Sequence, residues 1–164
     1  MIQRVQTLFL IGVIACMGCM FVFPIWEKSN LDSGTRQYLD IYHLYEFKRA
    51  DAGGNEWVET ARSPAYYIAG MAGIAALLAL YVIFRYDNRM LQIKLNALNA
   101  FIIMALIAVT AYLIYQGENE LGIQIKGNFK AGFFLPVGAL VLISFANRFI
   151  RKDEALVKSV DRIR

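Results

Sequence analysis

Residues Leu95–Gly117 read LNALNAFIIMALIAVTAYLIYQG, 23 residues without one charged side chain, bounded by Lys94 and Glu118. Coiled as a helix, such a run rises about 35 Å, enough to cross the roughly 30 Å hydrocarbon core of a bilayer with some tilt. Three more runs are free of charge: Val5–Trp26 and Ser63–Phe84, of 22 residues each, and Ala131–Asn147, of 17. Together the four hold 84 of the 164 residues, so every charge falls in the remaining 80. A soluble domain spreads charge along its helix faces and strands. With 58% hydrophobic residues, 18% charged residues and a mean hydropathy of +0.44, the pattern excludes a soluble enzyme, a nucleic-acid-binding domain and a disordered chain. In hydrocarbon every backbone polar group needs an internal partner, which makes helices the reading of these runs. The expectation is an all-α membrane protein, a single polytopic domain over 1–164 built as a four-helix bundle. Its spans are placed at about 5–26, 63–84, 95–117 and 129–148.

The cations set the orientation. With both termini inside, the inner segments 1–4, 85–94 and 148–164 carry ten Lys and Arg in 31 residues; the outer loops, 27–62 and 117–130, carry seven in 50. That bias predicts cytoplasmic N- and C-termini. Trp26, Trp57, Tyr66, Tyr67 and Tyr115 then lie near the outer surface as interface aromatics. The run at the N-terminus continues past Cys16 to Trp26, so it is read as a retained span and not as a cleaved signal.

The outer loops carry strand patterns. Tyr38–Phe47 is aromatic and β-prone, Asp51–Asn55 supplies turn residues, and Trp57-Val58 follows, which predicts a hairpin. Leu121, Ile123 and Ile125 alternate with polar or small residues in the second loop. A lone hairpin is marginal in water, so the second loop is expected to add a strand and form a small extracytoplasmic sheet seated on the bundle. That outline resembles the claudin-like arrangement of four spans and an outer sheet, in architecture alone. In the inner tail, 149–164, apolar Phe149, Ile150, Leu156, Val157, Val160 and Ile163 recur at helical spacing among cations, which predicts an amphipathic helix; a plain positive-inside anchor is the stronger reading, ahead of lying on membrane lipid or docking on a partner.

Chemistry-bearing groups are few. Cys16 and Cys19 have thiol-redox spacing, but no second cysteine pair exists to pass electrons and no cation shares their span. They are read first as packing residues. The lone His43 lies in the outer hairpin, where Asp40 and Glu46 are the nearest acids for a metal site; a surface histidine is the stronger reading. The spans hold no ionisable residue, which argues against an ion pump or proton-coupled transporter. Asn96 and Asn99, three apart near the inner end of the third span, share a face as helix-packing or ligand-anchoring amides. Ala69, Gly70, Gly73 and Ala76 make the second span a candidate helix interface. No phosphate loop, dinucleotide fingerprint, zinc-protease motif or nucleophile elbow is present. No catalytic residue, metal site or cofactor is expected.

The opening MIQRVQTLFL with its apolar run to Phe23-Pro24, and the closing IRKDEALVKSVDRIR, resemble the two ends of a family of small four-span membrane proteins of Bacteroidota catalogued as a domain of unknown function. The resemblance covers essentially the whole chain. It implies a bacterial inner membrane and a four-helix fold but no reaction, and it puts Arg4, Arg151, Lys152, Asp153, Glu154, Asp161 and Arg162 on the cytoplasmic side as candidates for a partner or lipid contact.

Three functions are weighed. The first is a non-catalytic membrane subunit or assembly factor that meets an integral membrane partner, or copies of itself, through the second span, the outer sheet or the tail. The second is binding or transport of an apolar or neutral ligand such as a lipid or quinone, anchored by Asn96 and Asn99. The third, and most remote, is a thiol oxidoreductase acting through Cys16 and Cys19.

Overall fold

A computed structural model describes residues 3–30, 34–50, 56–85, 88–120 and 127–161. Four helices are present: α1 (Gln3–Cys19), α2 (Tyr66–Phe84), α3 (Arg89–Glu120) and α4 (Ala131–Asp161). Three of them are long and apolar enough to cross a membrane, over Tyr66–Phe84, Arg89–Asn119 and Ala131–Ala155; α1 has a shorter apolar stretch, Val5–Cys19.

Each helix buries one seam. In α1 it is Gln6, Leu10, Val13, Met17 and then Met20 just beyond; in α2, Ile68, Ala72, Ala75, Ala79 and Val82. In α3 it is Gln92, Asn96, Asn99, Ile103, Leu106, Thr110 and Ile114; in α4, Ala139, Ile143, Ala146, Ile150 and Asp153. Apart from two successive fours between Leu106 and Ile114, the steps alternate between three and four, the 3.5-residue period of helices that pack at a shallow left-handed angle. α1 packs on α2 and α4, and α3 packs on the same two, so the bundle is a ring of neighbours in chain order. The alanines of α2 are small because that helix approaches its neighbours closely. Outward positions are also apolar: Leu8, Ile11, Leu77, Phe101, Met104, Tyr112, Phe134 and Val141 are all at least half exposed. Such a surface is costly in water and suits hydrocarbon.

The first helix ends earlier than the apolar run, so the span expected over 5–26 is a shorter apolar helix, Val5–Cys19. α1 stops at Cys19, turns through Phe21–Phe23, and the chain is already in strand β1 (Trp26–Asn30) at Trp26. Proline at 24 has no N–H and disfavours helix at the residue before it. The Pro24 carbonyl accepts instead from Gly132 N–H at the start of α4, at 2.9 Å. Trp26 is fully buried in this strand and is not an interface aromatic; Tyr66, Tyr67 and Tyr115 are exposed.

The sheet is larger than a hairpin plus one strand. Besides β1 it contains β2 (Thr35–Leu39), β3 (His43–Arg49), β4 (Trp57–Pro64) and β5 (Asn128–Phe129), in the order β4-β3-β2-β1-β5 with antiparallel neighbours. The aromatic stretch 38–47 is thus two strands, bent at Asp40, whose Oδ1 accepts the N–H groups of Tyr42 and His43 at 2.7 and 2.6 Å. β4 runs to Pro64, so the second span starts at Tyr66 and not at 63. The second loop adds its strand at 128–129, against Trp26 and Glu27. The expected strand at 121–125 and the turn at 51–55 lie outside the described residues. At the other end, the helix expected over the tail is the continuation of α4, which runs unbroken through 149–161.

Candidate functional site

Polar groups enter the bundle core at the end that carries both termini. There the seams of three helices turn from apolar to polar: Gln6 on α1, Gln92, Asn96 and Asn99 on α3, and Asp153 on α4 are all buried. Asn96 Nδ2 donates to Asn147 Oδ1 of α4 at 3.0 Å, and Gln92 Nε2 donates to the Val82 carbonyl at the end of α2, also at 3.0 Å. Gln6 Nε2 donates to Asp153 Oδ2 at 3.5 Å, and Arg89 donates to the Asp153 backbone carbonyl at 2.9 Å. Several atoms stay without a hydrogen-bond partner among the described residues: Gln6 Oε1, Asn96 Oδ1, Asp153 Oδ1 and both amide atoms of Asn99. Leaving such a group unsatisfied costs about 1–3 kcal/mol. The layer can therefore fix helix register through its made bonds, and its remaining donors and acceptors suit water or a neutral polar group.

A second polar centre sits where the sheet meets the bundle. Lys28 on β1 is fully buried, and its ammonium donates to the Glu118 carboxylate at 2.9 Å and to the Glu118 carbonyl at 3.0 Å. The cation thus meets the carbonyl end of α3, where the helix dipole favours positive charge. Glu118 Oε1 accepts the Gly127 N–H at 2.7 Å. Trp26 fills the space beside this pair. A Cβ on Gly117 would come within 2.9 Å of the indole and 2.7 Å of Gln37 Oε1, and one on Gly127 would collide with the indole nitrogen. Glycine at both positions is what lets the tryptophan seat. Farther out, Glu27 bridges Arg36 at 2.7 Å and Lys130 at 3.1 Å. Burial pushes the Glu27 carboxyl up, but the Lys130 hydrogen bond and the two cations outweigh it and hold the group below the ordinary carboxylate value.

The third feature is a surface. β4 is an edge strand, half-exposed at Trp57 and exposed from Val58 to Pro64, and it runs through Ala65 directly into α2. On α2, a Cβ added at Gly70 or Gly73 would meet nothing within 4 Å. The strand is locked to the helix: Ala65 N–H donates to the Tyr42 carbonyl at 2.7 Å, and His43 Nε2 lies 2.6 Å from Tyr66 Oη. Arg62, a donor only, reaches His43 Nδ1 at 3.1 Å and its guanidinium lies over the Tyr45 ring at 5.1 Å. Nδ1 must then accept, so Nε2–H donates to Tyr66. Both histidine nitrogens serve this joint, and His43 is buried, 7% exposed, where a surface histidine was expected. Asp40 caps its turn and Glu46 accepts from Gln37, so neither acid expected near a metal at His43 is turned to that use.

The residues singled out from sequence separate into distinct places. Asn96 and Asn99 both lie in the polar layer, one bonded and one not. Ala69 and Ala76 pack partly against the core, whereas Gly70 and Gly73 look outward; the close helix contacts of α2 are made by Ala72, Ala75 and Ala79. Arg151 and Lys152 are exposed, but Asp153 is turned into the bundle, where it meets Gln6, and so is not offered to a partner. Glu154 is half-buried. The side chains of Arg4, Leu156, Val157, Val160 and Asp161, and Arg162 and Ile163 altogether, lie outside the described residues. Cys16 and Cys19 are half-buried free thiols on α1, and Cys16 packs against the core. Gln6, Gln92 and the buried Lys28–Glu118 pair escaped the sequence reading. The 4-3 spacing of Gln92 with Asn96 and Asn99 was the signal for the first of them.

None of the curated proteins matches the chain. The family model described as a domain of unknown function (DUF4293) matches residues 2–163, nearly every position of the helices and sheet just described. The chain belongs to the DUF4293 family.

Proposed function

We propose that this chain is a non-catalytic integral subunit or assembly factor of a larger complex in a bacterial inner membrane, with both termini cytoplasmic, the sheet outside, and the β4–α2 face as its partner surface. The observation that carries the reading is the continuity of that face. An exposed edge strand and a helix side with open space over Gly70 and Gly73 follow each other in the chain without a covering element among the described residues. The His43–Tyr66–Arg62 joint holds the two in fixed relation, and a surface already rigid loses little freedom on binding. The edge strand offers backbone groups for strand addition, and the glycines let a second helix approach closely. The cation bias of the connecting segments supports the orientation.

The test is the Gly70→Leu/Gly73→Leu double variant, tagged and purified gently from native membranes. Both substitutions enter open space and raise helix propensity, so the bundle is expected to stay folded while the partner is lost. Recovery of the partner at full stoichiometry would count against this face. A complex made only of copies of this chain would replace the accessory-subunit reading with a homo-oligomer.

A second reading rests on Asn99, whose amide is fully buried with no hydrogen-bond partner among the described residues. It is a site for a neutral or apolar ligand such as a quinone or lipid, with Asn99 as the polar anchor. A purified bundle that holds no small molecule and tolerates Asn99→Leu removes it.

A further inference from the structure

Between α1 and α4, at the end that carries both termini, lies a groove of about 600 Å³ lined by Phe9, Phe145, Arg148, Phe149 and Lys152. Phe9 of α1 meets two rings of α4, Phe145 at 5.6 Å and Phe149 at 5.5 Å between centroids, the second pair stacked. Along α4 the positions 145, 148, 149 and 152 share one face. That face changes character in one direction. The charge-free run of α4 ends at Asn147, so Phe145 belongs to the apolar segment and Arg148 and Lys152 follow it toward the C-terminus. Both cations are exposed and neither has a hydrogen bond or ion pair among the described residues.

We propose that this groove binds one anionic glycerophospholipid from the leaflet on the side of the termini. An amphiphile with a hydrocarbon chain above and a phosphate below is the complement of this surface. The upper part of an acyl chain lies on the Phe9, Phe145 and Phe149 rings, and the phosphate lies between Arg148 and Lys152. The aromatic floor gives apolar contact in fixed geometry, and a guanidinium can hold two phosphate oxygens at once. A groove of this volume is of the size of small-molecule sites and takes a headgroup and the start of a chain, with the remainder of the lipid in the bilayer. Basic pockets between helices at a membrane surface hold anionic headgroups in this way. The site is separate from the β4–α2 face, so it stands whether or not that face binds a protein.

The experiment is native mass spectrometry of the full chain released from detergent with phosphatidylglycerol or phosphatidylcholine added. Wild type is expected to retain one phosphatidylglycerol at least tenfold better than phosphatidylcholine. Arg148→Gln/Lys152→Gln should abolish that preference. Arg85→Gln/Lys94→Gln, which removes two exposed cations elsewhere at the same end, should leave it intact. Equal retention of the two lipids by wild type, an unchanged preference in the first variant, or an equal loss in both variants would overturn the site. Displacement of the lipid by excess glycerol 3-phosphate would overturn it as well, since the determinant would then be a free phosphate ester.

Discussion

Replacing Glu118 by Gln tests how the sheet is held on the bundle. The substitution keeps the shape of the side chain and an oxygen for the Gly127 N–H, but removes the carboxylate 2.9 Å from the fully buried Lys28 ammonium. At that distance and an effective dielectric near 20 the attraction is about 6 kcal/mol before desolvation is counted. Removing one member of a buried pair costs about 3–5 kcal/mol net. Glu118 is 30% exposed and the Glu118 carbonyl still accepts from Lys28, so the lower end, about 3 kcal/mol, is expected. Lys28→Met removes the buried charge itself and leaves a partly solvated carboxylate, for which about 1 kcal/mol is expected. Trp26 reports the docking, because its indole is buried against Gly117 and Gly127. Its emission, followed through a guanidinium titration in mild detergent with Trp57→Phe as background, gives both costs. A Glu118→Gln loss no larger than that of Lys28→Met would refute the account of the pair.

Other expectations follow from the same contacts. Gly117→Ala and Gly127→Ala should each expel Trp26 from its seat, seen as a red shift of its emission without loss of helical circular dichroism, because the added methyl meets the indole ring. The Glu27 bridge contributes stability that is present above the ordinary carboxylate range and is lost as pH falls through the lowered value of the folded state. That contribution is at most about 1 kcal/mol, weakens in high salt, and disappears in Glu27→Gln, measured as the pH dependence of the same titration. Asn99→Leu should be neutral or stabilising in thermal unfolding if no ligand uses the amide, whereas Asn147→Leu should cost about 1–3 kcal/mol by stranding the Asn96 amide.

The four helices were legible because charge is excluded from hydrocarbon, and that exclusion leaves a plain mark in the sequence. The end of α1 was not. Apolarity continues from Cys19 to Trp26, and it cannot distinguish a helix facing lipid from a strand buried under a sheet; the sign is Pro24, which has no N–H and disfavours helix at the residue before it. The seam of each helix was also hidden, since outward-facing positions such as Leu8 and Ile74 are as apolar as buried Leu10 and Ala75. Polar residues break that symmetry, which is why Asn96 and Asn99 could be placed on one face. Lys28 shows the opposite limit. A lysine in a polar loop reads as solvated, and its burial depends on a carboxylate 90 residues away that only the docked sheet brings near. Asp153, with Arg151 and Lys152 before it, likewise reads as part of a charged surface, and only the phase of α4 turns it inward.

The partner surface is tested most directly by photo-crosslinking in native membranes. A photoreactive residue is placed singly at Gly70, Gly73 and Val58, and for comparison at Phe101 and Phe134, exposed positions on α3 and α4. Adducts to one and the same protein from positions 58, 70 and 73, absent from 101 and 134, are the expected result. Lipid adducts alone at all five positions would contradict a protein partner on the β4–α2 face.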